Sequence, residues 1–390
     1  MINKKILRGR RNMTCGAKRR QCGGCPYLET PYAEQLKRKQ AEAMRQLGAL
    51  GPVRPILGMK EPLHYRHKVI ASFAQDARGV LYAGLYAQGS HHVVPVEDCA
   101  LQDTRANALL RTVVMLAKEC KWHAYEEDRR EGLLRHVLIR TSWKRPEAMV
   151  TLVTSQPTLP GGKYFAARLR TLCPEVQTLT QSVNARATSV VLGAQPRVLY
   201  GPGFIEDALC GMTFRLSPTA FYQVNPAQAE VLYKQAAAFA SLTGRETVLD
   251  AYCGTGTIGL IVSPHARHVL GVECNAQAVR DAVQNAKRNG VTHAEFVAAD
   301  AGDYLRAQAA QGLRPDVVLL DPPRTGSDAR FLQSLAEMAP ARVIYVSCSL
   351  ETLARDVRML MTRGYRLAAA QPVDMFPHTE HVECVGVLCR

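Results

Sequence analysis

At 390 residues, 47% of them apolar, the chain is long enough for roughly two or three globular domains with substantial cores. No run of about 18 apolar residues is present, which excludes a membrane-spanning helix, and no apolar stretch follows the basic N-terminus, so no export signal is read and a cytoplasmic protein is expected. Lys and Arg number 49 against 34 Asp and Glu, a formal net charge of +15 that favours a polyanionic partner, nucleic acid before an anionic membrane surface; 12 Cys in a reducing compartment read as metal or catalytic groups rather than disulfides.

Residues 1–20 carry eight Lys or Arg and no acid, with too little apolar content to pack, and read as a mobile basic arm. Cys15, Cys22 and Cys25 follow as C-x6-C-x2-C, with Gly23 and Gly24 inside the tight pair and Pro26 closing the loop. Cys-x-x-Cys lets two thiolates reach one metal from a single turn, and three ligands need a fourth. Cys99 is the candidate, because it too sits where an apolar run ends in a polar turn; the spacing leaves zinc and an iron–sulfur cluster both open. Residues 31–48 read as an amphipathic helix ending at Gly48. From 65 to 98 the pattern alternates, with Asp-Ala-Arg-Gly as a turn, which predicts β-hairpins. His64, His67, His91 and His92 lie there and read as surface or phosphate-facing groups rather than ligands. A helix over 103–121, strands over 133–143, 148–155 and 176–184, and a helix near 163–172 complete an antiparallel β-rich unit.

Residues 201–226 read as a joint before a helix over 227–242, with Pro226 at its start. From 247 strand and helix alternate through 361, the pattern of a doubly wound parallel sheet, and 365–371 and 382–389 add two strands. The alternation opens on Val248-Leu249-Asp250-Ala251-Tyr252-Cys253-Gly254-Thr255-Gly256-Thr257-Ile258-Gly259-Leu260: buried strand, glycine turn, helix. Twenty-three residues after Asp250, Glu273 ends the next apolar run, an acid placed to hold ribose hydroxyls of a nucleoside-type ligand. In such a sheet ligands bind at the carboxyl ends of strands. Those ends carry Tyr252-Cys253-Gly254, then Glu273, then Asp300, then Asp321-Pro322-Pro323-Arg324, then Ser347-Cys348-Ser349. Glu273 and Asp300 suit a ribose and an adenine amino group. Cys348, at a strand end before a helix whose N-terminus would lower a thiol pKa, is a candidate nucleophile. Cys253, Cys274, Cys384 and Cys389 read as packing residues.

The set FYQVNP (221–226), LDAYCGTGTIGL (249–260), DPPRTG (321–326), YVSCSLETLARD (345–356) and DMFPHTEHVE (374–383) resembles the RNA (uracil-5-)-methyltransferases. The likeness runs from Cys15 to the C-terminus. It implies a class I methyltransferase domain using S-adenosyl-L-methionine over 201–390 and a central β-rich RNA-binding domain over 63–200. Ahead of these, residues 1–62 would hold the basic arm, the cysteine segment and a helix. By motif match Cys348 is the nucleophile and Glu383, in His381-Val382-Glu383, is the base; Glu380 is near but does not match. Gln223, Tyr252, Thr257, Glu273, Asp300 and Asp321 fall around the cofactor and the target base. Cys15, Cys22, Cys25 and Cys99 would hold a [4Fe–4S] cluster. Only 14 residues precede Cys15, so the OB-like RNA-binding domain of members acting on large ribosomal RNA is expected to be absent. The x6 gap is close to the family's, and Ser349 stands where Asn is common.

The implied substrate is a loop uridine of 23S ribosomal RNA, because members acting on transfer RNA generally lack the cysteine motif; transfer RNA is the alternative. No membrane and no obligate protein partner are expected. A cytosine-5 enzyme would carry its catalytic Cys in the loop held here by DPPRTG, and amino-group methylation calls for an aromatic where Arg324 stands. A non-catalytic RNA-binding protein would tolerate loss of Cys348.

Overall fold

The computed structural model describes residues 15–19, 22–186, 190–193 and 196–390, so most of the expected basic arm lies outside the described residues. Two seven-stranded sheets organise the chain. The first contains β1 (Lys68–Gln75), β2 (Leu81–Tyr86), β3 (Val93–Pro95), β4 (Leu134–Thr141), β5 (Ala148–Thr154), β6 (Val176–Val183) and β7 (Arg197–Tyr200), in the order β3-β2-β1-β4-β5-β6-β7. Alternate residues such as Val69, Ala71, Phe73, Val137, Ile139, Val150 and Leu152 face one side. There they pack on Leu109, Val113, Phe165 and Leu169 of two helices, Thr104–Glu119 and Gly162–Leu172. The period of two along each strand makes that one-sided core. The expectation of an antiparallel unit needs one correction. β5 and β6 run parallel, because the helix Gly162–Leu172 carries the chain across the sheet between them, as a parallel pair requires.

The second sheet contains β10 (Thr247–Ala251), β11 (His268–Glu273), β12 (Ala294–Ala298), β13 (Val317–Leu320), β14 (Arg342–Ser347), β15 (Arg366–Val373) and β16 (Glu383–Cys389). Its order is β12-β11-β10-β13-β14-β16-β15. The first five strands are parallel, and β16 inserts antiparallel between β14 and β15. Both faces are covered: Val248 and Val269 point into one core, Leu249 and Leu270 into the other. Strands buried on both sides read as continuous apolar runs, which is why their boundaries were legible. The early helix Tyr32–Leu47 packs Ala43 and Leu47 into the second of these cores, beside Leu353 and Leu360 of the helix Leu350–Met361.

The stretch read as a joint folds into a hairpin, β8 (Ile205–Leu209) and β9 (Met212–Leu216), turned by Cys210 and Gly211 at φ 51° and 83°. Positive φ at both central residues is the two-residue hairpin geometry. Its inward positions Ile205, Asp207 and Leu209 are all buried, and the charged Asp207 among them hides the alternation a strand would show. No described helix is long and apolar enough to cross a membrane.

Candidate active site

The glycine loop is built by one carboxylate at its root. Asp250 is 1% exposed, and its Oδ2 accepts the Gly259 N–H at 2.8 Å. Burial pushes its pKa up to about 7, against the Gly259 bond, with Asp321 and Glu273 adding like charge. A Cβ on Gly259 would stand 2.8 Å from that same oxygen and 3.0 Å from Val269, so the glycine keeps strand and helix in contact. Gly254, at φ 55°, instead faces open space, the side from which a ligand can reach the backbone. Tyr252 also has positive φ, 65°, uncommon for an aromatic residue and frequent at functional turns. Its ring lies against Phe331, centroids 5.2 Å apart. Thr257 opens the helix Thr257–Val262 with its Oγ1 3.2 Å from that of Thr255.

Glu273, at the end of β11, accepts Gly254 N–H on Oε2 at 3.1 Å and Asn275 N–H on Oε1 at 2.8 Å. It ties the glycine loop to the next turn, and Oε2 keeps a lone pair for a further donor. Asp300 caps the helix Ala301–Ala310 by accepting from Asp303 N–H at 3.0 Å. Cys253 and Cys384 are buried, but Cys274 is exposed, with its Sγ 3.3 Å from Glu273 Oε1; it does not pack. Of the four histidines, His91 and His92 are exposed. His67 turns inward to Thr141 and Asp103, and burial lowers its pKa.

The second half of the site gathers at the ends of β13, β14 and β16. Asp321 follows β13, and Cys348 follows β14. β14 and β16 pair antiparallel with Ser347 opposite Cys384, so the next step of that ladder sets Cys348 beside Glu383 on one face. Glu383 is 3% exposed. Burial, then the Asp321 charge, pushes it up to about 8, and burial pushes Asp321 up to about 7. The Cys348 thiol is raised as well, by burial and then by Glu383 and Asp321, with Arg324 opposing. This corrects the expectation of a thiol acidified by a helix N-terminus. The helix starts at Leu350, its Ser349 cap turns a side-chain oxygen to Thr352 N–H, and burial, with two carboxyl groups adding to it, outweighs what remains.

Sequence reasoning missed Tyr233. It is buried on the helix Pro226–Ala240, and burial, then the charges of Asp321 and Glu383, push its hydroxyl pKa up against a hydrogen bond with Gln223. A tyrosine at a helical core position carries no local signal of that placement. The Asp-Pro-Pro-Arg loop is pinned from below by Arg355, which donates to Thr325 O and Ser327 O, both at 3.0 Å, and by Asp356, which accepts from Ser327 N–H and the Tyr345 hydroxyl.

Cys15, Cys22, Cys25 and Cys99 line one small pocket, with Arg66 and the apolar side chains of Ala17, Leu85, Val96 and Leu101. Burial raises the Cys99 thiol. Among the described residues no group of three or more His, Cys, Asp or Glu converges on the position of a single metal ion.

The chain matches the family tRNA (uracil-5-)-methyltransferase over residues 31–390. It is 42% identical over 373 residues to an uncharacterised RNA methyltransferase of Halalkalibacterium halodurans, covering 94% of this chain and 81% of that one. It is 41% identical over 376 residues to another from Lactiplantibacillus plantarum, covering 95% and 82%. A solved structure of Pyrococcus abyssi tRNA (uracil-54, C5)-methyltransferase with S-adenosyl-L-homocysteine is similar at a TM-score of 0.79 and 27% identity, over 94% of this chain and 86% of that one. With the doubly wound sheet, the glycine loop and the strand-end carboxylates, these likenesses establish that the chain belongs to the tRNA (uracil-5-)-methyltransferase family and is an S-adenosylmethionine-dependent RNA methyltransferase with the class I fold.

Proposed function

We propose that the protein methylates C5 of an unpaired uridine, with Cys348 as nucleophile and Glu383 as base. The observation that carries this reading is the convergence of Cys348, Glu383 and Asp321 at adjacent strand ends. C5 of uracil is a weak nucleophile. The Cys348 thiolate adds to C6, forming an S–C6 bond and moving the electron pair into an enolate that makes C5 nucleophilic. When bound, S-adenosylmethionine supplies the electrophilic methyl group. The Glu383 carboxylate then takes the C5 proton; the C–H electrons re-form the C5–C6 double bond and expel the Cys348 thiolate. Gln223 and Asp321 orient the uracil, backed by Tyr233. Tyr252, Thr257, Glu273 and Asp300 hold the cofactor, Glu273 at the ribose and Asp300 at the adenine end. The uridine leaves its stack to enter, at a cost of about a few kcal/mol, so loop uridines are preferred.

Cys15, Cys22, Cys25 and Cys99 would hold a [4Fe–4S] cluster. The lining of one pocket by all four thiols supports this reading. No step of the reaction needs an electron, so its role is structural or RNA-positioning. The chain divides into an N-terminal segment over 1–62, a central RNA-binding domain over 63–200 and the methyltransferase domain over 201–390, and it works in the cytoplasm without an obligate protein partner. The cysteine set favours 23S ribosomal RNA as substrate. A transfer RNA loop uridine is the second reading, favoured by the Pyrococcus abyssi relative, which is named for uracil-54 of tRNA.

Labelled S-adenosylmethionine with total RNA, ribosomal and transfer fractions separated, tests this. Label should appear as 5-methyluridine in ribosomal RNA and vanish with Cys348→Ala. Label in transfer RNA would select the second reading, and 5-methylcytidine, or full activity in the variant, would remove Cys348 from the mechanism.

A further inference from the structure

The turn between β15 and β16, which delivers Glu383, is held by an unusual set of bonds. Five successive carbonyls each accept a hydrogen bond from outside the turn. Asp374 O accepts from Gln228 Nε2 at 3.0 Å, Met375 O from Asn225 Nδ2 at 2.8 Å, and Phe376 O from Lys39 Nζ at 3.0 Å. Pro377 O accepts from the Tyr65 hydroxyl at 2.8 Å and His378 O from Tyr27 N–H at 3.0 Å. A turn this fully bonded is over-determined, and it tolerates His378 at φ 65°.

Two side chains of the helix Tyr32–Leu47 grip the turn further. Lys39 Nζ lies 2.5 Å from Asp374 Oδ1, with both side chains at most 1% exposed. Gln35 Oε1 accepts His378 N–H at 2.8 Å, while its Nε2 lies 3.1 Å from His378 Nδ1 and donates to Thr30 O at 2.8 Å. This helix follows directly on the cysteine loop, and Tyr27, just past Cys25, bonds the same turn. Cys348, by contrast, is set by β14 and by Ser347 and Ser349, whose own bonds are local.

We propose that Gln35 and Lys39 are positioning residues for Glu383, acting through the 374–378 turn, and that they serve removal of the C5 proton rather than thiol addition or methyl transfer. The inference rests on the uridine C5 mechanism above. It separates two steps that RNA carrying 5-fluorouridine also separates. With fluorine at C5 there is no proton to remove, so thiol addition and methylation leave a stable covalent complex.

The test uses the full chain as Gln35→Leu and Lys39→Met. Covalent capture of 5-fluorouridine RNA with S-adenosylmethionine is followed by denaturing gel, alongside turnover on uridine RNA and the thermal midpoint. For Gln35→Leu we expect capture within about twofold of wild type, an unchanged KM for RNA, and turnover down about tenfold or more. The covalent complex should also accumulate on ordinary uridine RNA, which a merely structural role would not produce. Lys39→Met strips the buried Asp374 carboxylate of its counter-charge, leaving it the Tyr32 hydroxyl, and is the more destabilising change, whereas Gln35→Leu removes only neutral bonds and decides the matter. Capture and turnover falling together, or neither changing, would overturn the proposal. Failure of wild type to capture 5-fluorouridine RNA would instead overturn the C6-addition mechanism and this inference with it.

Discussion

The carboxyl group of Glu383 lies in the field of Asp321, and burial together with that like charge pushes its pKa up to about 8. A base works only when ionised, so kcat should rise with pH through about 8 rather than stay flat from 5 upward. The Cys348 thiol, raised by burial and by the same two carboxyls, drives the profile in the same direction. Asp321→Asn removes the like charge and should move the midpoint of the kcat profile to lower pH, even if the rate itself falls. A profile that does not move would separate Asp321 from Glu383 electrostatically.

The same burial predicts a stability cost. The folded Glu383 carboxyl holds its proton up to about 8, whereas an unfolded one releases it near 4.5. Its contribution is therefore fully present below about 4.5 and is lost as pH rises through 8. Glu383→Gln should raise the stability measured by urea unfolding at pH near 8.5 by up to a few kcal/mol, and change it little near pH 4. The variant should retain covalent capture of 5-fluorouridine RNA and lose turnover on uridine. Equal stability at both pH values would mean the carboxyl is solvated.

Two glycines of one loop should fail in different ways. Gly259→Ala drives a Cβ to within 2.8 Å of Asp250 Oδ2 and against Val269, so it should destabilise the fold by about 1–3 kcal/mol. Gly254→Ala meets nothing within 4 Å in the protein, apart from the strain of φ 55°. Its main effect should be weaker cofactor binding, about tenfold or more by calorimetry with S-adenosylhomocysteine, and a thermal midpoint lowered only slightly. Undiminished affinity in Gly254→Ala would place the cofactor away from this turn.

The four-thiol cavity predicts metal content. Protein purified without oxygen should carry iron and acid-labile sulfide at about four each per chain. Cys99→Ser should lower both and the thermal midpoint together. One zinc per chain and no sulfide would replace the cluster with a single ion.

Much of the fold was legible because local patterns report burial and turning. The parallel strands β10, β11, β13 and β14 appear as apolar runs since both of their faces are covered, and the glycine loop declares itself by two glycines before a helix. The acids at strand ends follow from the same reading. The hairpin at 205–216 is less legible, because the buried Asp207 breaks the alternation and neither strand exceeds five residues.

What the chain's sequence determined alone is therefore which segments are strands and helices, which ends carry reactive groups, and that three cysteines share one loop. Only the tertiary structure decided that β16 enters between β14 and β15, which sets Glu383 beside Cys348. It also brought Cys99 to the other three thiols, buried Tyr233 against Gln223, and paired Lys39 with Asp374 across 335 positions. It reversed the expected direction of the Cys348 thiol as well. The physical reason is common to all of these. Periodicity encodes which face of an element is buried, but not which other element buries it, and a pKa follows the charges that arrive from elsewhere in the fold.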